Sequence, residues 1–175
     1  MHIATLKKHV SDFNLLEEGE FCQLIMGELI MTPAPSYKHQ KVSALIFLQL
    51  YSFVQEHKSG EALYAPVDVF FDDENVFEPD ILFVSKERAN IIEENGIHGA
   101  PDLVIEILSV TSGYHDTKIK KRVYEKYGVK EYWIVDPLDG EVTGFENVNG
   151  KFVELFNGSS QFTIKLLNLQ ITLKP

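Results

Sequence analysis

Glu106 stands in the run Leu-Val-Ile-Glu-Ile-Leu at 103–108, where burying a carboxylate costs on the order of several kcal/mol unless a cation or hydrogen-bond donors compensate it. It needs a partner. Asp102, four residues earlier at about 3.3 Å per strand residue, is about 13 Å away and cannot share one ion with it. The partner must come from a neighbouring strand. Asp80, in Phe-Glu-Pro-Asp-Ile-Leu-Phe-Val at 77–84, opens one, and Pro79 cannot donate to a ladder, so that end is free to face a cleft. Together Asp80 and Glu106 make an oxygen-only site suited to magnesium or manganese. The plainer alternative is a strand-start turn residue at Asp80 and a Lys or Arg partner for Glu106.

Downstream, Asp116, Lys120 and Tyr124 are spaced i, i+4, i+8 and form one stripe of a helix, from which a lysine could reach over the Glu106 strand. A solvated i,i+4 ion pair is the plainer reading. His39, behind a Pro-rich turn, and Glu28, at a hairpin, are further candidates for the same cleft, though such residues at element ends are commonly solvated. Other chemistry is excluded. Ser109, Thr111 and Ser112 lack a Gly-x-Ser-x-Gly setting, and no Gly-rich phosphate loop or dinucleotide fingerprint occurs. Cys22 is the only cysteine, which rules out an internal disulfide and any zinc site built on several thiolates.

These candidates must be positioned by a chain of 175 residues, 45% hydrophobic and 11% aromatic, which is one domain's worth, 1–175, with material for a core. The formal net charge is −10, so the molecule as a whole repels polyanions. Its basic residues are clumped. Lys118, Lys120, Lys121, Arg122, Lys126 and Lys130 fall within fifteen residues, 116–130, and Lys118, Lys121 and Arg122 lie off the Lys120 stripe, available for phosphate attraction. No apolar run approaches the roughly 18 residues of a membrane span, and the start carries lysines and histidines where a signal peptide is apolar. The expectation is a cytoplasmic protein without membrane contact.

The pattern predicts a short helix at 4–13, a hairpin of 21–26 with 29–31 hinged at Met26-Gly27-Glu28, and a long helix from an N-cap at Ser36 to a stop near Gly60. Adjacent strands at 63–71 and 78–84 follow, joined by the polar turn Asp-Asp-Glu-Asn-Val. The strand 102–108 is apolar on both faces, the mark of a central position. A helix at 115–127 ends at Gly128, and strands at 131–136, 141–146 and 151–156 form a meander. Mixed connections of this kind mean α+β.

The ordered set Glu-Pro-Asp-Ile-Leu-Phe-Val, then Gly-Ala-Pro-Asp-Leu-Val-Ile-Glu-Ile-Leu-Ser, then Asp116-x-x-x-Lys120-x-x-x-Tyr124, then Gly-Val-Lys-Glu-Tyr-Trp-Ile-Val-Asp-Pro resembles the Uma-two family of the restriction-endonuclease-like superfamily of metal-dependent nucleases. The likeness runs from Gly27 to the hairpin after Asp136. It implies a central mixed sheet flanked by helices, preceded by an N-terminal hairpin and long helix, with the superfamily's acids on Asp80 and Glu106. The superfamily's lysine, two residues after the second acid, is replaced here by Leu108; Lys120 matches the displaced lysine of the Uma-two type. Glu28 and His39 also match positions that the family keeps.

The expectation drawn from the resemblance is a Mg²⁺- or Mn²⁺-dependent endonuclease acting on DNA. Asp80, Glu106 and the Ile107 carbonyl would hold the ion, Lys120 would act on water or phosphate, Asp116 would steer Lys120, Tyr124 would do the same or simply pack, and Glu28 and His39 would support the cleft. Cutting both strands would favour a homodimer. The rival is a nuclease-like domain that binds nucleic acid or a protein without cutting. A two-carboxylate glycosidase has the acids but no use for the lysine.

Overall fold

The computed structural model describes residues 6–17, 21–109 and 114–173, with side chains in the last segment from residue 118 onward. A short helix α1 (Val10–Phe13) leads to the hairpin β1 (Cys22–Ile25) and β2 (Glu28–Met31). Of the helix expected at 4–13, residues 6–9 are not helical, and residues 1–5 lie outside the described residues. The hairpin turns on Met26 (φ 53°) and Gly27 (φ 81°), the two left-handed residues that a tight hairpin matched to strand twist requires.

The long helix α2 (Tyr37–His57) starts as expected: the Ser36 hydroxyl accepts from the His39 amide at 3.2 Å, which satisfies one free donor of the first turn. It ends differently. Lys58, at φ 49°, is the left-handed cap, while Gly60 already belongs to β3 (Gly60–Tyr64), where a Cβ would come within 2.1 Å of the Val84 carbonyl. This glycine serves strand approach and does not stop the helix.

The expected strand 63–71 is divided between two sheets. Its first residues complete β3, and its last form β4 (Val69–Asp72), which turns through Asp73-Glu74 into β5 (Asn75–Phe77). After β6 (Ile81–Ser85), a 3-10 turn (Lys86–Ile91) and the short β7 (Ile92–Glu93) and β8 (Gly96–His98) come β9 (Leu103–Ile107), α3 (Tyr114–Tyr127), β10 (Glu131–Val135), β11 (Glu141–Val148), β12 (Lys151–Ser159), β13 (Gln161–Ile164), a 3-10 turn (Lys165–Leu167) and β14 (Leu169–Thr172).

The central sheet runs β12-β11-β10-β9-β6-β3, and a second sheet runs β2-β1-β5-β4-β8-β7. β9 is interior, parallel to β10 and antiparallel to β6, as its two-sided apolar pattern demands. On one face Ile81, Phe83, Leu103, Ile105, Trp133 and Val135 pack against Ile46, Leu50 and Val54 of α2 and the β13–β14 hairpin. On the other, Leu82, Val84, Val104 and Tyr132 pack against Val123 and Tyr124 of α3 and against Val69 and Phe77 of the second sheet. This is a mixed α+β fold. No helix among the described residues is long and apolar enough to cross a membrane.

Candidate active site

Sheet register brings the two acids together. β6 and β9 pair Ile81 with Ile105 and Leu82 with Val104 in antiparallel sense, which sets Asp80 directly across from Glu106 on one face, a spacing of about 5 Å between Cβ atoms. That face is the one α3 covers. Asp80 is held at both oxygens: Oδ2 accepts from the Ile107 amide at 2.7 Å, and Oδ1 lies 3.2 Å from His39 Nε2. Glu106 is 9% exposed.

The inner side of α3 completes the cluster. Lys120, 8% exposed, donates to Glu106 Oε1 at 3.0 Å, and the Tyr124 hydroxyl donates to the same oxygen at 2.6 Å. The i,i+4 spacing therefore delivers two donors to one carboxylate: Lys120 reaches the Glu106 strand, and Tyr124, expected to steer Lys120, donates to the acid itself. The Asp116 side chain lies outside the described residues. Burial and the neighbouring Asp80 charge raise the Glu106 pKa against the pull of Lys120 and Tyr124. Burial also raises Tyr124 well above the usual phenol range, reinforced by the Glu106 charge, so its proton stays on as a donor to the carboxylate.

His39 enters from the first turn of α2. It is 7% exposed. Burial opposes its charged form, but the Asp80 hydrogen bond and charge, the Ile107 backbone and the Glu106 charge outweigh it, and the net pKa is raised. Its Nδ1 is buried without a hydrogen-bond partner among the described residues. Glu28 is not brought in. It is exposed at the turn end of its hairpin, where Met26 and Gly27 bond Asn75 and Glu74. The other end approaches the site, because buried Gln23 accepts the Glu78 amide at 3.1 Å and donates to Thr32 at 3.3 Å.

Glu78 itself was not singled out in the sequence. Burial and the charge of Asp68 raise it to about 7, with Lys120 pulling it down, so a third carboxylate shares the electrostatic environment of Lys120. Its only signal was its position two residues before Asp80 in a strand entrance. Among the outward lysines of α3, Lys118 and Arg122 are exposed, one turn apart. Lys121 instead lies 3.2 Å from the Phe145 ring centroid, with burial lowering its pKa against the charges of Glu125 and Glu154. It is engaged there rather than displayed with Lys118 and Arg122.

The donor set suits a hard divalent cation. Two carboxylates face each other across adjacent strands, and both donors to Glu106 take Oε1, leaving Oε2 without a partner among the described residues. No group of three or more His, Cys, Asp and Glu residues able to hold a metal occurs among the described residues. Magnesium is commonly held by one or two carboxylates and keeps several waters.

A structure described as a putative nuclease belonging to DUF820, from Anabaena variabilis ATCC 29413, superposes with a TM-score of 0.78 at 20% identity, covering 97% of this chain and 96% of that one. At that identity the likeness is one of fold. No curated protein matches. The family model Uma2, described as "Putative restriction endonuclease", matches residues 10–174.

Proposed function

The chain belongs to the Uma2 family, and from that premise we propose that it is a divalent-metal-dependent endonuclease that hydrolyses phosphodiester bonds in DNA. The observation that carries this reading is the convergence of Asp80, Glu106 and Lys120 in one side-chain cluster, the lysine 3.0 Å from the second acid. Asp80 and Glu106, with the Ile107 carbonyl, would hold Mg²⁺ or Mn²⁺, which supplies Lewis-acid polarisation of a phosphoryl oxygen and a more acidic water.

This chain's own residues do the rest. Lys120 places a fixed positive charge where negative charge develops on the phosphate, in a site from which water is largely excluded. Tyr124 holds Glu106 by one oxygen and so turns the other outward. His39 and the Ile107 amide between them hold both oxygens of Asp80. Lys118 and Arg122 give the outer face of α3 the phosphate attraction that a net charge of −10 denies the molecule as a whole, and binding is expected to weaken steeply with salt. A DNA substrate sets the place of work in the cytoplasm, and a two-fold dimer is the assembly that cutting both strands favours.

The test is nicking of a supercoiled plasmid in Mg²⁺, with EDTA and with Glu106→Gln as controls. Nicking by the wild type alone, abolished by chelator, supports the reading. Cleavage that survives EDTA, or that Glu106→Gln performs at the wild-type rate, contradicts it; retarded but uncut plasmid gives the fold to the non-cutting alternative.

A further inference from the structure

The α2 side of the cleft carries a surface that this reading leaves unused. Residues 29–55 contain no Asp or Glu, in a chain with 26 acidic residues among 175. Within that run Lys38 and Lys41 are exposed on the first turns of α2 and pair with no carboxylate among the described residues. An aromatic ridge follows. Phe47 lies 5.5 Å from Tyr51 and 4.6 Å from Tyr64 of β3 between ring centroids, and Tyr51 and Tyr64 are 43% and 59% exposed.

This ridge adjoins the acids. Tyr64 pairs with Ile81 across β3 and β6, and the next residue, Ala65, donates its amide to the Asp80 carbonyl at 3.0 Å. His39, which holds Asp80, lies between Lys38 and Lys41 in sequence. At 1.5 Å per helical residue, Lys41 and Tyr51 are about 15 Å apart along α2. Lys41 and Tyr51 therefore share the exposed side of α2, and Tyr64 stands beside the Asp80 backbone.

We propose that this surface binds an unpaired strand of the nucleic acid, its phosphates against Lys38 and Lys41 and its bases stacked on Tyr64 and Tyr51, so that the substrate is single-stranded or carries a single-stranded flap beside the scissile phosphate. The inference deepens the nuclease reading and rests on it. Paired bases in a duplex present their edges and hide their faces, so exposed rings that need a free π-face select unpaired strands. Absence of carboxylates over twenty-seven residues matches a polyanion and gives no such match to an ordinary acidic protein partner.

The test is fluorescence anisotropy in EDTA, where no cutting occurs, with fluorescein-labelled oligothymidylate and a fluorescein-labelled hairpin duplex. The single strand is expected to bind the wild type at least about tenfold more tightly than the duplex. Tyr64→Ala or Tyr51→Ala should weaken single-strand binding about 5- to 150-fold, the range for one lost base stack, and leave duplex binding unchanged, while Tyr64→Phe retains it. Lys41→Ala should lower the salt slope for the single strand by about 0.7.

Equal affinity for the two probes, or no loss in Tyr64→Ala, overturns the proposal. So does a dimer in light scattering that Leu48→Glu splits while oligonucleotide binding is indifferent to Tyr64→Ala, since the face then belongs to a second copy of the chain. Indifference to Tyr64→Ala alongside intact plasmid nicking refutes this inference alone, and single-strand preference without cleavage of either a single-stranded oligonucleotide or the plasmid in Mg²⁺ or Mn²⁺ refutes the nuclease reading alone.

Discussion

Both donors that reach Glu106 bind one of its oxygens, and from this the residue-scale consequences follow. Removing the amine outright would strand a buried carboxylate and cost about 3–5 kcal/mol of stability, so Lys120→Gln, which keeps a donor, is the cleaner probe. It should lower plasmid nicking by on the order of 10²-fold or more, as for a lost transition-state contact, and leave Mn²⁺ binding intact or tighter. Single-turnover kinetics beside a metal titration check it. Tyr124→Phe removes a hydrogen bond to a charged group and should cost about 1.5–3 kcal/mol in urea unfolding without metal. Asp80, Glu106, Lys120 and Tyr124 were legible because a carboxylate in an apolar run and an i,i+4 stripe have few structural solutions. Glu28 and Gln23 were not: which end of a hairpin faces a cleft depends on the pairing of β1 with β5, a non-local fact that no local spacing carries.

At the scale of elements, the site depends on β9 holding its register between β6 and β10. Asp102 pins the start of that strand. Fully buried, it accepts from the Ser85 amide at 2.7 Å and lies 2.7 Å from Lys130 Nζ and 3.4 Å from Arg88. Burial pushes its pKa up, but Lys130 and Ser85 outweigh this and the net shift is downward from the ordinary carboxylate range. A depressed carboxylate stabilises the fold above its unfolded pKa, and that stability is lost as pH falls through the folded value. Asp102→Asn should therefore flatten the decline in unfolding free energy below about pH 4, read by urea titration across that range.

On the next strand pair, Gly144 faces Trp133, and a Cβ would sit 2.4 Å from the indole ring. Gly144→Ala should cost about 1–3 kcal/mol by overpacking, seen as a lower Tm. The helices and the central position of β9 were readable from periodicity. The division of 63–71 between two sheets was not, because one continuous β-prone run hides a change of sheet that only the pairing of β3 with β6 and β4 with β5 reveals.

For the molecule as a whole, the central claim is that a fold with a strongly negative net charge uses opposed carboxylates on neighbouring strands to hold a cation and turns positive side chains of α3 and α2 toward a polyanion. Net charge alone points away from nucleic acid, whereas the clumping of basic residues at 116–130 and the acid-free run 29–55 point toward it. Calorimetric titration of Mn²⁺ into wild type and Glu106→Gln tests this most directly. The account predicts one site per chain in the wild type and at least about tenfold weaker binding, or none, in Glu106→Gln, since a neutral amide removes one of two charged ligands. Absence of binding to the wild type, or equal binding by the two proteins, would contradict it.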